Sequence, residues 1–189
     1  MPANPTPEVD MLKSNSKTAP RSSHPLATGV AAGLLAGGVA GQSDHLLDRF
    51  VSKEQKKRDK KVRKASAHEI AGPYFARKIT GKRLSGKQEQ RAKQGFGLAY
   101  GILWGLIYTA VRRKAPGLAR WGGVPFAIPF FFACDGMMAP LLGVSPSLRK
   151  IPWQPSAKEL GNHLAWTVTA EMVHRLAARY LPRSPGRVR

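Results

Sequence analysis

Eighteen consecutive residues, from Gln94 to Val111, read "QGFGLAYGILWGLIYTAV" and carry no charge on any face. A helix on a water-soluble protein shows charge every few residues along its outer side. A helix that crosses a bilayer needs about 20 mostly apolar residues, with a range of about 17 to 25. The stretch therefore predicts a spanning helix over 95–112. Tyr100, Trp104 and Tyr108 lie at i, i+4 and i+8 and predict an aromatic stripe along one side of it. The alternative is the central helix of a soluble bundle. Several such windows in a chain of 189 residues would then need a very large core.

The other windows extend the pattern. No charge occurs between Arg21 and Asp44, and Leu26 to Gly41 is almost all Ala, Gly, Leu and Val. Trp121 to Leu148 carries one charge, Asp135. A fourth window, "ELGNHLAWTVTAEMVHRLAARYL", is helical in composition but more polar, and reaches spanning length only by admitting Glu171 and His174. The expectation is an all-α membrane bundle of about four transmembrane helices at 26–46, 95–112, 122–144 and 158–180. A basic helical loop at 49–93 joins the first two, with a break expected at Gly72–Pro73. Residues 1–25 are rich in Pro, Ser and Thr and are expected to be a disordered tail, and 182–189 a basic one. The mean hydropathy of −0.29 conceals all this, because the charge is segregated from the apolar windows.

Glycine is the second signal. Gly29, Gly33, Gly37 and Gly41 recur every fourth residue, and Gly97, Gly101 and Gly105 repeat the device. Four-residue spacing keeps them near one helix face, where missing side chains let a neighbouring backbone approach, as in small-xxx-small packing of membrane helices. The two rows predict that the first two spans pack together. A phosphate-binding loop would need Gly-x-Gly-x-x-Gly after a strand, or a Gly-Lys-Ser/Thr ending; neither is present. The plainer alternative is a weakly helical Gly/Ala linker, since glycine costs about 1 kcal/mol per helical position. A signal peptide cleaved near Val39–Ala40–Gly41 is disfavoured by the long polar lead with Glu8 and Asp10.

The third window contains its own breakers. Pro125 and Pro129 stand near its start and Pro140 near its end, where neighbours must satisfy the freed carbonyls. Asp135 lies near its centre, beside the lone Cys134. A carboxylate at that depth costs about 2.5–3.5 kcal/mol on insertion scales, so it should face the protein interior. The fourth window offers partners: Glu159, His163, Trp166 and His174 share a helix face, with Glu171 and Asn162 beside it. Asp135, His163, Glu171 and His174 thus form a candidate intramembrane polar cluster. It reads either as a proton-responsive site or as a satisfied polar seam that fixes helix register.

The charge balance, 31 Lys and Arg against 11 Asp and Glu, gives +20 and points to an anionic partner. The basic segment Arg49 to Lys93 lacks interleaved aromatics and any zinc-finger or helix-turn-helix pattern, so no nucleic acid is expected. Apolar windows flank it, which favours the anionic headgroups of a lipid bilayer. The loops 49–93 and 145–158 hold 19 Lys and Arg against 12 elsewhere. The positive-inside rule would put both loops in the cytoplasm, while the short middle link and the C-terminal tail pull the other way. A homo-oligomer is left open. "AHEIAG" lacks the second His of a zinc-protease helix. Asp44, His45 and Asp48 read as an interfacial cap, and Cys134 as a small core residue. No metal, cofactor or catalytic residue is expected, and the chain is not read as an enzyme.

Three blocks carry a family likeness: "FGLAYGILWGLIY" from Phe96, "APGLARWGGVPFAIPFFFACDGMMAPLLGVSP" from Ala115, and "IPWQPSAKELGNHLAWTVTAEMVHRL" from Ile151. With the glycine-studded first window, the chain resembles the YagU-like family of small bacterial inner-membrane proteins over about 26–180. The most specific parts are the Pro-Leu-Leu-Gly-Val-Ser-Pro run at Pro140 and the helix from His163 to Arg175. Gln94 and Gly95 stand where the family often has a His before the Phe-Gly pair. The resemblance implies a helical bundle in a bacterial inner membrane. It implies no catalytic residues.

Overall fold

The computed structural model describes residues 24–181, and every regular element among them is helical. The tails expected at 1–25 and 182–189 lie, but for the last two residues of the first, outside the described residues. In chain order the helices are α1 (Pro25–Leu47), α2 (Lys53–Val62), α3 (Ala67–Thr80), α4 (Gly86–Lys114), α5 (Val124–Phe131), α6 (Ala139–Leu141) and α7 (Trp153–Tyr180). A π-helical stretch, Phe132–Met138, joins α5 to α6. Three segments are long and apolar enough to cross a membrane: Pro25–Phe50, Gly86–Lys114 and Pro116–Leu141. The expected fourth, α7, matches them in length but not in apolarity.

Side-chain pairs set the directions. Gly33 of α1 faces Gly101 and Gly105 of α4, while Gly29 faces Gly105 and Thr109, so α1 and α4 are antiparallel. Phe126 meets Tyr108, Phe130 meets Trp104, and Tyr100 hydrogen-bonds Cys134, so the α5 segment is antiparallel to α4 as well. Tyr108 packs on Trp166, and Thr109 reaches His174, so α7 runs parallel to α4. The result is an up-down-up-down arrangement. The C-terminus of α1, the N-termini of α4 and α7, and helices α2 and α3 gather at one end.

The core is small residues against rings. Ala32 and Ala36 of α1 are fully buried against Trp104, Tyr108, Phe126, Phe130 and Trp166. Outward, α1 shows Leu26, Leu35, Val39 and Leu46, and α7 shows Val168, Met172 and Leu176 at i, i+4 and i+8. The polar residues of α7 face inward instead: Glu159, Asn162, Thr167, Glu171 and His174 are all buried. That polarity is the reverse of a soluble bundle's.

Three expectations are corrected. The second apolar helix begins at Gly86 rather than at 95, because Ser85 and Gln88 form a capping box that starts the helix inside the basic segment. The break expected at Gly72–Pro73 does not occur, and α3 runs through both residues. Pro normally drives the preceding residue out of the α region by crowding its Cβ; Gly72 has none. The same lack lets α3 cross α4 closely, for a Cβ on Gly72 would lie 2.5 Å from the Ala92 carbonyl oxygen. Third, Gly37, Gly41 and Gly97 are not packing positions: a Cβ on any of them would meet nothing within 4 Å. On that side α3 packs beside α4, with Phe75 stacked on Phe96.

Candidate functional site in the bundle interior

The four residues of the expected polar cluster separate into two sites. Glu171 and His174 lie near the C-terminal ends of α4 and α7. Arg112 donates from Nε to Glu171 Oε2 at 3.0 Å and from Nη2 to Oε1 at 3.1 Å. Tyr108 Oη donates to Oε2 at 2.8 Å, and Arg175 Nε to Oε1 at 2.8 Å. Glu171 is 1% exposed and Arg112 3%. A buried carboxylate is tolerated on such terms, with each oxygen met by charged or hydroxyl donors. Thr109 Oγ1 donates to the Gly105 carbonyl at 2.7 Å, so the 3.0 Å contact with His174 Nε2 places the imidazole proton on that nitrogen. This is a closed, satisfied seam. Arg112, a major part of it, is the first charge after the uncharged window Gln94 to Val111.

Asp135 and His163 form the other site, toward the opposite end. Asp135 sits in the π-helical stretch, bounded by Pro129 inside α5 and Pro140 inside α6. A ring at Pro140 would clash with the carbonyl four residues back in a regular helix. The wider π turn relieves this and is ended by the bond from Ala139 N–H to Cys134 O. It aims Asp135 at α7, where its Oδ2 lies 3.5 Å from His163 Nε2. The ring of His163 is set edge-on to Phe130 and Phe131, with centroids at 4.5 and 5.6 Å.

The tautomer gives this pair its chemistry. His163 Nδ1 lies 2.9 Å from the Glu159 carbonyl oxygen, which can only accept, so Nδ1 carries a hydrogen. In a neutral ring Nε2 is then a bare lone pair, and it faces a carboxyl oxygen. Two lone pairs at that distance repel. One proton on either group turns the contact into an attraction. The pair is built to hold one proton.

The other charges near it have partners. Arg63 reaches Glu159 at 3.4 Å and Asp59 at 2.9 Å. Burial pulls the Arg63 guanidinium down, but Asp59 and Glu159 outweigh this and hold it above its ordinary value. Lys158 lies 3.0 Å from Asp44 Oδ1 and 3.8 Å from Asp48 Oδ1. Asn162 donates to Asp44 at 2.7 Å and accepts from Ser43 Oγ at 2.8 Å. Asp44, in the last turn of α1, and Asp48, just after it, are thus tied to α7 through Lys158.

Asp135 and His163 open into a cavity of about 430 Å³. Gly37, Gly41 and Gly97 form one wall, and Phe75, Tyr100 and Trp166 are among its rings. An aromatic ladder runs beside it: Phe75 on Phe96, Phe96 on Tyr100, Tyr100 on Trp104, with centroids 5.8, 5.6 and 6.1 Å apart. The unpacked glycines of both rows therefore leave room rather than make contact. No family model, curated protein or solved structure matches the chain.

Proposed function

We propose that the chain is a small, non-enzymatic multi-pass protein of a bacterial inner membrane, and that its Asp135–His163 pair makes it proton-responsive, in a stress- or pH-related role. The carrying observation is that His163 Nε2 and Asp135 Oδ2 face each other at 3.5 Å while Nδ1 is committed to a carbonyl. The YagU-like blocks support the location. Glu171 and His174 are assigned to structure, because the first is saturated by Arg112, Arg175 and Tyr108 and the second is held by Thr109.

In this reading α7 is the fourth span. Its average hydropathy is low because its polar residues face the bundle, while Val168, Met172 and Leu176 face outward. Exposed Trp121 and Tyr180 at one end and Trp153 at the other suit the two headgroup levels. Lys and Arg of α2, α3 and the first turns of α4 lie at one end, in reach of anionic headgroups.

Alkaline carbonate washing of membranes tests the location. The spanning protein stays in the pellet, whereas release into the wash identifies a basic peripheral protein and revives nucleic acid as its partner. Asp135→Asn tests the proton reading. Membrane proton permeability, pH-dependent stability and acid tolerance all unchanged in that variant would remove it.

A further inference from the structure

The cavity beside Asp135 has a composition that selects a ligand. We infer that it binds a small apolar molecule carrying a basic amine, held by its ammonium group on Asp135. This rests on the proposed reading that Asp135 and His163 share a proton inside a membrane bundle, and names the ligand of the same site.

The size is within the roughly 300–1,000 Å³ range of small-molecule pockets. The walls are chiefly rings, alanines and glycines, with carboxylates Asp44, Asp135 and Glu159 among the polar residues. Charge complementarity then decides the headgroup. Asp44 is held by Lys158, and Glu159 by Arg63. Asp135 faces His163, whose ring is neutral once the shared proton leaves, and the other charges that act on it, Glu159 and Arg63, are paired with each other. His68, on the cavity wall, is engaged with Ser66, and Cys134 accepts from Tyr100 Oη. An incoming anion would meet carboxylates, and a neutral polar ligand would leave Asp135 unchanged. An ammonium group replaces the proton as its counter-charge. The aromatic walls, Phe75, Tyr100 and Trp166, suit both the apolar body and the cation. Access is lateral, at Gly41 of α1 and Gly97 of α4, which line the cavity, are exposed and carry no side chain. An apolar amine concentrates in the lipid on that side.

Proton and ligand therefore compete. The amine arrives as R–NH₃⁺, the pair arrives holding one proton, and that proton leaves to solvent as the ammonium settles on Asp135. No covalent bond is made beyond this proton exchange.

The probes are naphthylmethylamine and its neutral isostere naphthylmethanol, titrated into the full chain in nanodiscs of zwitterionic lipid, with protein-free nanodiscs subtracted. Trp166 on the cavity wall reports binding by fluorescence. The amine should bind saturably, roughly tenfold or more tighter than the alcohol, with affinity rising with pH and a proton released in calorimetry. Asp135→Asn should bring the amine to the alcohol's affinity, and Gly97→Leu should weaken both. Equal affinities of the two probes for the native chain overturn the proposal. So does a preference that survives Asp135→Asn, or no saturable binding of either probe. The comparison within the native chain decides the matter should Asp135→Asn fail to fold. A protein that resists carbonate yet shows no amine preference loses this inference alone, while one released by carbonate loses the membrane reading.

Discussion

Arg112 and Glu171 meet in the bundle interior through two parallel hydrogen bonds of 3.0 and 3.1 Å, with both side chains almost wholly removed from solvent. Removing one member leaves the other charge without its counter-ion, at a cost of about 3–5 kcal/mol. Glu171→Ala should therefore lower the thermal midpoint in detergent sharply. The double variant Arg112→Met/Glu171→Leu should recover most of that loss, since replacing both charges by apolar groups is often neutral. A double variant as unstable as the sum of the two singles would show that the pair is not coupled.

Arg63 is the corresponding partner of Glu159, which is 6% exposed. Arg63→Met should destabilise the end of the bundle where α2 meets α7, and hydrogen exchange should localise the loss to the first turns of α7. An unchanged exchange pattern there would contradict the role given to Arg63.

The two glycine rows make opposite predictions along their length. Gly33→Leu drives a side chain into the backbone of Gly101 and Gly105, so overpacking should cost about 1–3 kcal/mol or more. Gly97→Ala enters open space and should be neutral or stabilising by up to about 1 kcal/mol, as alanine is the better helix former. Melting curves of the two variants, side by side, check the contrast.

Glu69 gives a pH dependence outside the spans. Partial burial raises its carboxyl, but the Ser66 hydroxyl and N–H, both donating to it, outweigh this and hold it below the ordinary 4.5. A lowered folded value means stability that is present above the unfolded value and lost as pH falls through the folded one. Protection of the first turn of α3 should thus fall between about pH 5 and 3, and Glu69→Gln should flatten that change. Hydrogen exchange corrected for its intrinsic rate makes the measurement.

Whether α7 faces lipid is read by chemistry at single cysteines in a Cys134→Ser background. Met172→Cys should resist a membrane-impermeant maleimide and react with a lipid-soluble one, while Tyr180→Cys reacts with both. Equal labelling of the two positions by the impermeant reagent would place α7 in water.

The apolar windows, their helical character and the capacity of three of them to cross a membrane were all legible in the chain, because a spanning helix is specified by local composition and length. The uncharged window marks the apolar part of the second helix, while its first turns, from Gly86, lie in the basic segment and are started by the Ser85–Gln88 capping box. The tertiary structure alone decided which glycines touch. A row at four-residue spacing states that a face is smooth, not where two helices cross, and the crossing at Gly33 leaves Gly37, Gly41 and Gly97 lining a cavity. It also divided the polar residues. His163 and His174 share a face of α7 with Glu171 beside it, and Asp135 stands on the preceding window, but depth along the bundle is fixed by the parallel run of α4 and α7, which brings Arg112 to Glu171 and leaves Asp135 with His163. Local sequence specifies each helix and its faces; only packing specifies which charge lies opposite which.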